Sequence, residues 1–162
     1  SIPVRLKTSG LRALGIVVDA DQDLSARWQA LVQRLRDADY LTLPPIPDND
    51  GIIISEPGKP KVGIWIMPDN QLPGMLETFT AHLIHPNDLL LPKVNQTLDE
   101  LEAENLNLYA LLQRPKAMIH TWLAWQETPG QPMGQAITSR VLRHNNPLAL
   151  AFVNWLNRLF QS

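Results

Sequence analysis

Three clusters of residues in this chain have the types and spacing to do chemistry. The first is Val18-Asp19-Ala20-Asp21-Gln22-Asp23, which follows directly on an apolar, β-branched run. On an extended segment, residues i and i+2 point to the same side. Asp19 and Asp21 are therefore expected to converge at the carboxyl end of a strand, where open α/β folds bind ligands. Two hard oxygen donors there suit Mg²⁺, which takes one or two carboxylates and keeps several waters. The competing use of the same residues is structural. Asp23 would cap the following helix, leaving Asp19 and Asp21 as solvated turn residues.

The second cluster runs from Met67 through Pro68, Asp69 and Asn70 to Gly74-Met75-Leu76-Glu77. Asp69 follows a strand as Asp19 does, and Glu77 falls in the first turn of a helix, so Asp69, Asn70 and Glu77 could face one cleft. The structural alternative is a turn aspartate and a glutamate favouring a helix N-terminus. The third cluster is Arg114 to Gln126. Lys116 and His120, four apart, share a helical face. A lysine beside a metal site can neutralise a phosphate oxygen or a leaving group. Trp122 and Trp125 are expected in the core rather than as stacking platforms. His82, His85 and His120 lack ligand spacing within one helix, and no phosphate-binding glycine loop or G-x-S-x-G nucleophile motif occurs.

These side chains need a scaffold, and the patterning predicts one. Leu14–Val18 reads as a buried strand. Residues 23–38 carry Leu24, Trp28, Leu31, Val32 and Leu35 at helical spacing, with Asp23 or Ser25 as cap. Strand, acidic turn and helix make the opening of a βα unit, so a central sheet flanked by helices is expected. Pro44, Pro45 and Pro47 end regular structure. Strands follow at 51–54 and 62–67, joined through Glu56-Pro57-Gly58-Lys59-Pro60 as a hairpin or similar tight return. Helices are then expected at 75–83, 88–104, 116–126, 135–143 and 147–160. The last presents Leu148, Phe152, Trp155, Leu156 and Leu159 on one face.

Composition narrows the function classes. The chain has 162 residues, an ordinary length for one domain. With 44% hydrophobic and 19% charged residues it is too apolar for a disordered segment. A net charge of -2 argues against a generic nucleic-acid coat or an anionic-membrane binder, without excluding a small basic groove. Cysteine is absent, which removes disulfides, thiol nucleophiles and Cys-based zinc sites. No apolar run approaches the ~20 residues of a bilayer span, and with no signal-peptide pattern a cytoplasmic location is expected.

Four strings taken in order resemble a known family. They are Gly15-Ile16-Val17-Val18-Asp19-Ala20-Asp21, Val62-Gly63-Ile64-Trp65-Ile66-Met67-Pro68-Asp69-Asn70, Gly74-Met75-Leu76-Glu77 and Lys116 to Gln126. Together, from about Gly10 to Phe160, they look like domain-of-unknown-function family 3226, a group similar to the Toprim-like proteins. That wider group includes topoisomerases, primases and the nuclease half of the overcoming-lysogenization-defect proteins. The resemblance implies a Toprim-like α/β domain spanning 1–162 with a helix-rich C-terminal half. It also implies metal-dependent phosphodiester chemistry on nucleic acid, with Asp19, Asp21 and Glu77 holding Mg²⁺ or Mn²⁺ and Lys116 assisting catalysis. Asp23, Asp69, Asn70 and His120 would support them from behind.

The resemblance implies one more part. A strand bearing an acidic residue, and its helix, should precede Gly15, whereas Ser1–Leu14 hold no carboxylate. The chain is thus expected to lack that ligand, as a fragment or a shortened member. Two other readings compete with a nuclease. One is a non-catalytic binding or partner module with a degenerate site. The other is a haloacid-dehalogenase-like phosphatase with Asp19 as nucleophile and Asp21 as general acid, which Ile54-Ser55 and Asp69-Asn70 fit poorly.

Overall fold

The computed structural model describes residues 1–161. Its elements are α1 (Ile2–Leu6), β1 (Ala13–Asp19), α2 (Leu24–Arg36), β2 (Ile52–Ile54), β3 (Lys61–Met67), α3 (Leu76–His82), α4 (Leu90–Ala103), α5 (Arg114–Ala124), α6 (Met133–Thr138) and α7 (Pro147–Phe160), with a 3₁₀ turn at Leu111–Gln113. The fold is mixed α/β and helix-rich in its C-terminal half. Two compact units emerge, Ser1–Leu76 together with the chain from Pro147 on, and Glu77–Asn146.

The first unit is built on a three-stranded sheet in the order β1-β3-β2. β1 runs parallel to β3 from Ala13↔Lys61 to Asp19↔Met67, and β2 pairs antiparallel with it through Ile52↔Ile64. The central strand β3 is buried from Val62 to Met67. A strand covered on both faces needs a continuous apolar run, which explains why Val62–Met67 shows no polar alternation. On one face α2 supplies Trp28, Leu31 and Leu35, packed with Ile16, Val62, Ile64 and Ile66. The other face belongs to α7. Its Trp155 and Leu159 are buried, Trp65 meets Phe152 edge-on at 5.2 Å, and the Trp155 indole N–H donates to the Ile52 carbonyl at 3.1 Å.

The turn from β2 to β3 is the expected return, and Glu56 fastens it. Its carboxylate accepts from the backbone N–H groups of Leu41 and Thr42, both at 2.7 Å, and pairs with Lys59 at 2.8 Å. The second unit is helical. Between α4 and α5, Arg114 pairs with Asp99 and Glu102, and the Tyr109 hydroxyl donates to Glu102 at 2.6 Å. Asp88 caps the entry to α4 by accepting from Leu91 N–H at 2.6 Å, and it also accepts from the Trp122 indole at 3.0 Å.

Two local expectations are corrected. The helix expected at 135–143 begins at Met133 and ends at Thr138, because Arg140 adopts a left-handed φ of 63°. Trp122 is core at 1% exposed, but Trp125 caps the end of α5 and is 43% exposed.

Candidate functional site

At the carboxyl end of the parallel pair, the first unit gathers Asp19, Asp21, Asp23, Asp69 and Asn70. Asp19 is the last residue of β1, and its Oδ1 accepts from the Leu76 backbone N–H at 2.9 Å. Ala20 carries the register one step further by donating to the Met67 carbonyl at 3.1 Å. The chain then leaves the strand. Asp21 has φ of 56° and exchanges two backbone hydrogen bonds with Gly74, both at 2.8 Å.

This geometry corrects the argument from alternation. Period-two alternation holds along extended backbone, and Asp21 is in the left-handed region, so Asp19 and Asp21 are not placed side by side by strand parity. The Asp21 side chain instead pairs with Arg27 on the first turns of α2. Nothing in the spacing announced Arg27 as a partner.

The neighbouring acids have structural tasks. Asp23 caps α2 by accepting from Ala26 N–H at 2.9 Å. Asp69 accepts from Gln71 and Leu72 N–H at 3.0 and 2.9 Å, closing a turn after β3. Asn70 is 2% exposed and doubly committed. Its Oδ1 accepts from Ile66 N–H at 2.7 Å while its own N–H donates to the Ile66 carbonyl at 2.8 Å. A buried asparagine at φ of 63° that satisfies both groups of a strand residue serves as a latch on the strand end.

Glu77, Lys116 and His120 belong to the second unit. There Glu77 is buried, and the Lys116 Nζ lies 3.9 Å from its Oε1. Lys116 and His120 are both exposed, as one shared face of α5 requires. The structure therefore brings Glu77 and Lys116 together as an ion pair. Among the described residues, no three or more His, Asp or Glu side chains form a group that could hold a metal ion.

Each of the two strand-end carboxylates has a protein partner. Asp19 is engaged through Oδ1 and Asp21 through Oδ2. The remaining oxygen of each is a hard donor, and Mg²⁺ needs only one or two carboxylates when it keeps its waters. A closed all-protein cage is not present among the described residues.

A family model for proteins of unknown function, DUF3226, matches residues 1–161. The chain belongs to the DUF3226 family. Comparison with the curated proteins and with the solved structures finds no match. No helix among the described residues is long and apolar enough to cross a membrane.

Proposed function

We propose that this DUF3226 chain is a Toprim-like domain performing metal-dependent, nuclease-like phosphodiester chemistry on nucleic acid. The observation that supports this most is the position of Asp19 and Asp21 at the carboxyl end of a parallel strand pair, directly before α2. Strand ends of this kind are the ligand-binding edge of open α/β sheets. Asp19 and Asp21 would hold hydrated Mg²⁺ or Mn²⁺, and an ion of that class supplies Lewis-acid stabilisation of a phosphoryl oxygen. A cation held there would share the Asp21 carboxylate with Arg27, which pairs with its Oδ2. Lys116, 52% exposed beside Glu77 in the second unit, would offer its ammonium to a phosphate oxygen. With a net charge of -2, recognition of nucleic acid rests on such local contacts rather than on bulk attraction.

A second reading rests on a specific observation, the engagement of every acid at the strand end by protein. Asp21 is neutralised by Arg27, Asp23 is a cap, and Asp69 closes a turn. That is the arrangement of a binding or partner module that keeps the fold without catalysis. Titration calorimetry with Mg²⁺ and Mn²⁺, paired with a nicking assay on DNA and RNA, separates the two. Metal-dependent nicking that Asp21→Asn abolishes supports the enzyme. Absence of metal binding by the folded protein, or nicking unchanged in that variant, overturns it and leaves the module.

A further inference from the structure

Within the first unit, α2 and the loop that follows it enclose a cavity of about 330 Å³. Trp28, 2% exposed, forms its floor, and Pro45, Ile46 and Pro47 form a wall. That wall is tied at both ends. The Trp28 indole N–H donates to the Pro45 carbonyl at 3.2 Å, and the Asn70 side-chain N–H donates to the Asn49 carbonyl at 3.4 Å. A cavity held this way is formed before any ligand arrives, which lowers the cost of binding. It lies just past the carboxyl end of β3, at Asn70 and Gln71, and against the first turn of α2, at Leu24 and Ser25. Asp19 and Asp21 leave β1 at the same end of the sheet.

The lining decides what fits. Every residue in it is uncharged, so a bare phosphate, carboxylate or ammonium would lose water there without gaining a counter-charge. Apolar surface is available on Ile46, 72% exposed, and on the two prolines. Around it stand three exposed amides, Gln29, Asn49 and Gln71, whose side chains make no hydrogen bond among the described residues. An amide carries a donor and an acceptor side by side, as the edges of nucleobases do. A second hollow of about 480 Å³ shares Trp28, Gln29 and Pro45 with the first and continues along α2 to Arg36. From Ser25 to Arg36 is about 16 Å of helix. Arg36 is exposed and makes no ion pair among the described residues. The acids close to it and to the loop in sequence are engaged, Asp37 by the Gln33 amide and Asp48 by the Asp50 N–H, both at 2.9 Å.

We propose, resting on the phosphodiester reading above, that this cavity takes an unstacked nucleobase of single-stranded nucleic acid and that Arg36 pairs with a phosphate of the same strand. The parts are complementary in kind and in order. A nucleotide is a flat, neutral ring with amide-like edges joined to an anion. The groove is a neutral, amide-rimmed cavity joined to a cation. A phosphate alone would use only Arg36, and a wholly apolar ligand would take water from the three amides without replacing it. A base can enter only after leaving its stack, so a paired duplex does not suit the site. One neighbouring phosphodiester then runs along α2 to Arg36, and the other lies at the end of the sheet that carries Asp19 and Asp21.

The test is fluorescence anisotropy of a short labelled oligonucleotide, single-stranded or annealed to its complement, with chelator present so that neither metal nor cleavage contributes. The single strand should bind at least about tenfold more tightly than the duplex. Ile46→Asn and Gln29→Ala alter the cavity without altering charge. Each should weaken the single strand about fivefold and leave its salt dependence as it was. Arg36→Gln should weaken it too, and should reduce the slope of log affinity against log salt by about 0.7. All three side chains are exposed, so the fold should hold, and circular dichroism checks it. No binding of the single strand overturns the proposal, as does equal affinity for the duplex, or affinity that both cavity variants leave intact. Binding that the cavity variants weaken, in a protein that never nicks with metal, keeps this inference and discards the enzyme. Metal-dependent nicking with unaltered KM in both cavity variants does the reverse.

Discussion

The Lys116 ammonium lies 3.9 Å from the Glu77 carboxylate, and the two partners differ sharply in exposure, 52% against 7%. The carboxylate has given up most of its water, while the lysine remains half-solvated. Such a pair holds little net energy from the exposed partner, yet the buried charge depends on what stays near it.

Lys116→Met should therefore destabilise the protein by about 1 kcal/mol, while Glu77→Gln, which removes the buried charge and keeps the shape, should cost no more. Urea unfolding of the two single variants and the double variant measures this. A coupling energy above about 3 kcal/mol would show a far stronger pair than the 3.9 Å separation warrants. If Lys116 serves phosphate chemistry, Lys116→Met loses nicking far in excess of this small stability change.

Asp19 offers a cleaner separation of structure from chemistry. Its Oδ1 receives the Leu76 N–H at 2.9 Å, a bond that an asparagine carbonyl can keep. Asp19→Asn should hold stability to within about 0.5 kcal/mol, whereas Asp19→Ala should lose about 1–2 kcal/mol. Calorimetry on Asp19→Asn then reads the carboxylate charge alone. Mg²⁺ affinity falling at least about tenfold with unchanged unfolding supports the proposed ion site. Equal affinity in that variant removes Asp19 from it.

What the sequence makes legible follows from the range of each signal. The apolar runs at 14–18 and 62–67 and the amphipathic face of 147–160 are strong periodic patterns, and β1, β3 and α7 fall on them. The Asp23 cap is equally readable, because an aspartate before an apolar periodic segment has a local reason to be there. The left-handed residues were not readable. Asp21, Asn70 and Arg140 take φ near 60° without being glycine, held by tertiary context, and each redirects the chain where alternation or helical period would continue. At the candidate site, sequence reasoning located the carboxylates but not their partners. Arg27 there, and the Leu41 and Thr42 donors to Glu56 at the β2–β3 return, come from residues whose spacing carries no warning.

Gly51 is a fixed point in the docking of α7. It has φ of +82°, and a Cβ there would run into the Trp155 ring and approach Trp65 to 2.9 Å. Both indoles are fully buried, so neither can step aside. Gly51→Ala combines left-handed strain of about 1–2 kcal/mol with overpacking of about 1–3 kcal/mol. The expected loss is about 3 kcal/mol, read by chemical denaturation together with blunted near-ultraviolet tryptophan dichroism. A loss below about 1 kcal/mol would mean that the Trp65–Trp155 contact has room it does not show here.

The Glu56 carboxyl is held down to about pKa 2, first by its hydrogen bond from Lys59, then by the backbone donors Thr42 and Leu41 and the Lys59 charge, against desolvation that would raise it. Its ordinary value is 4.5. A folded-state pKa below the unfolded one means that the native state prefers the ionised form. The resulting stabilisation is complete above about pH 4.5 and drains away as pH falls toward about 2. Protonation there releases Lys59 and weakens the acceptor for Leu41 and Thr42, so their amide resonances should shift together with one midpoint near pH 2. Glu56→Gln keeps an acceptor but cannot ionise, and its stability should be flatter than wild type across that window. Parallel acid unfolding curves for the two proteins would show that this carboxylate does not couple to folding.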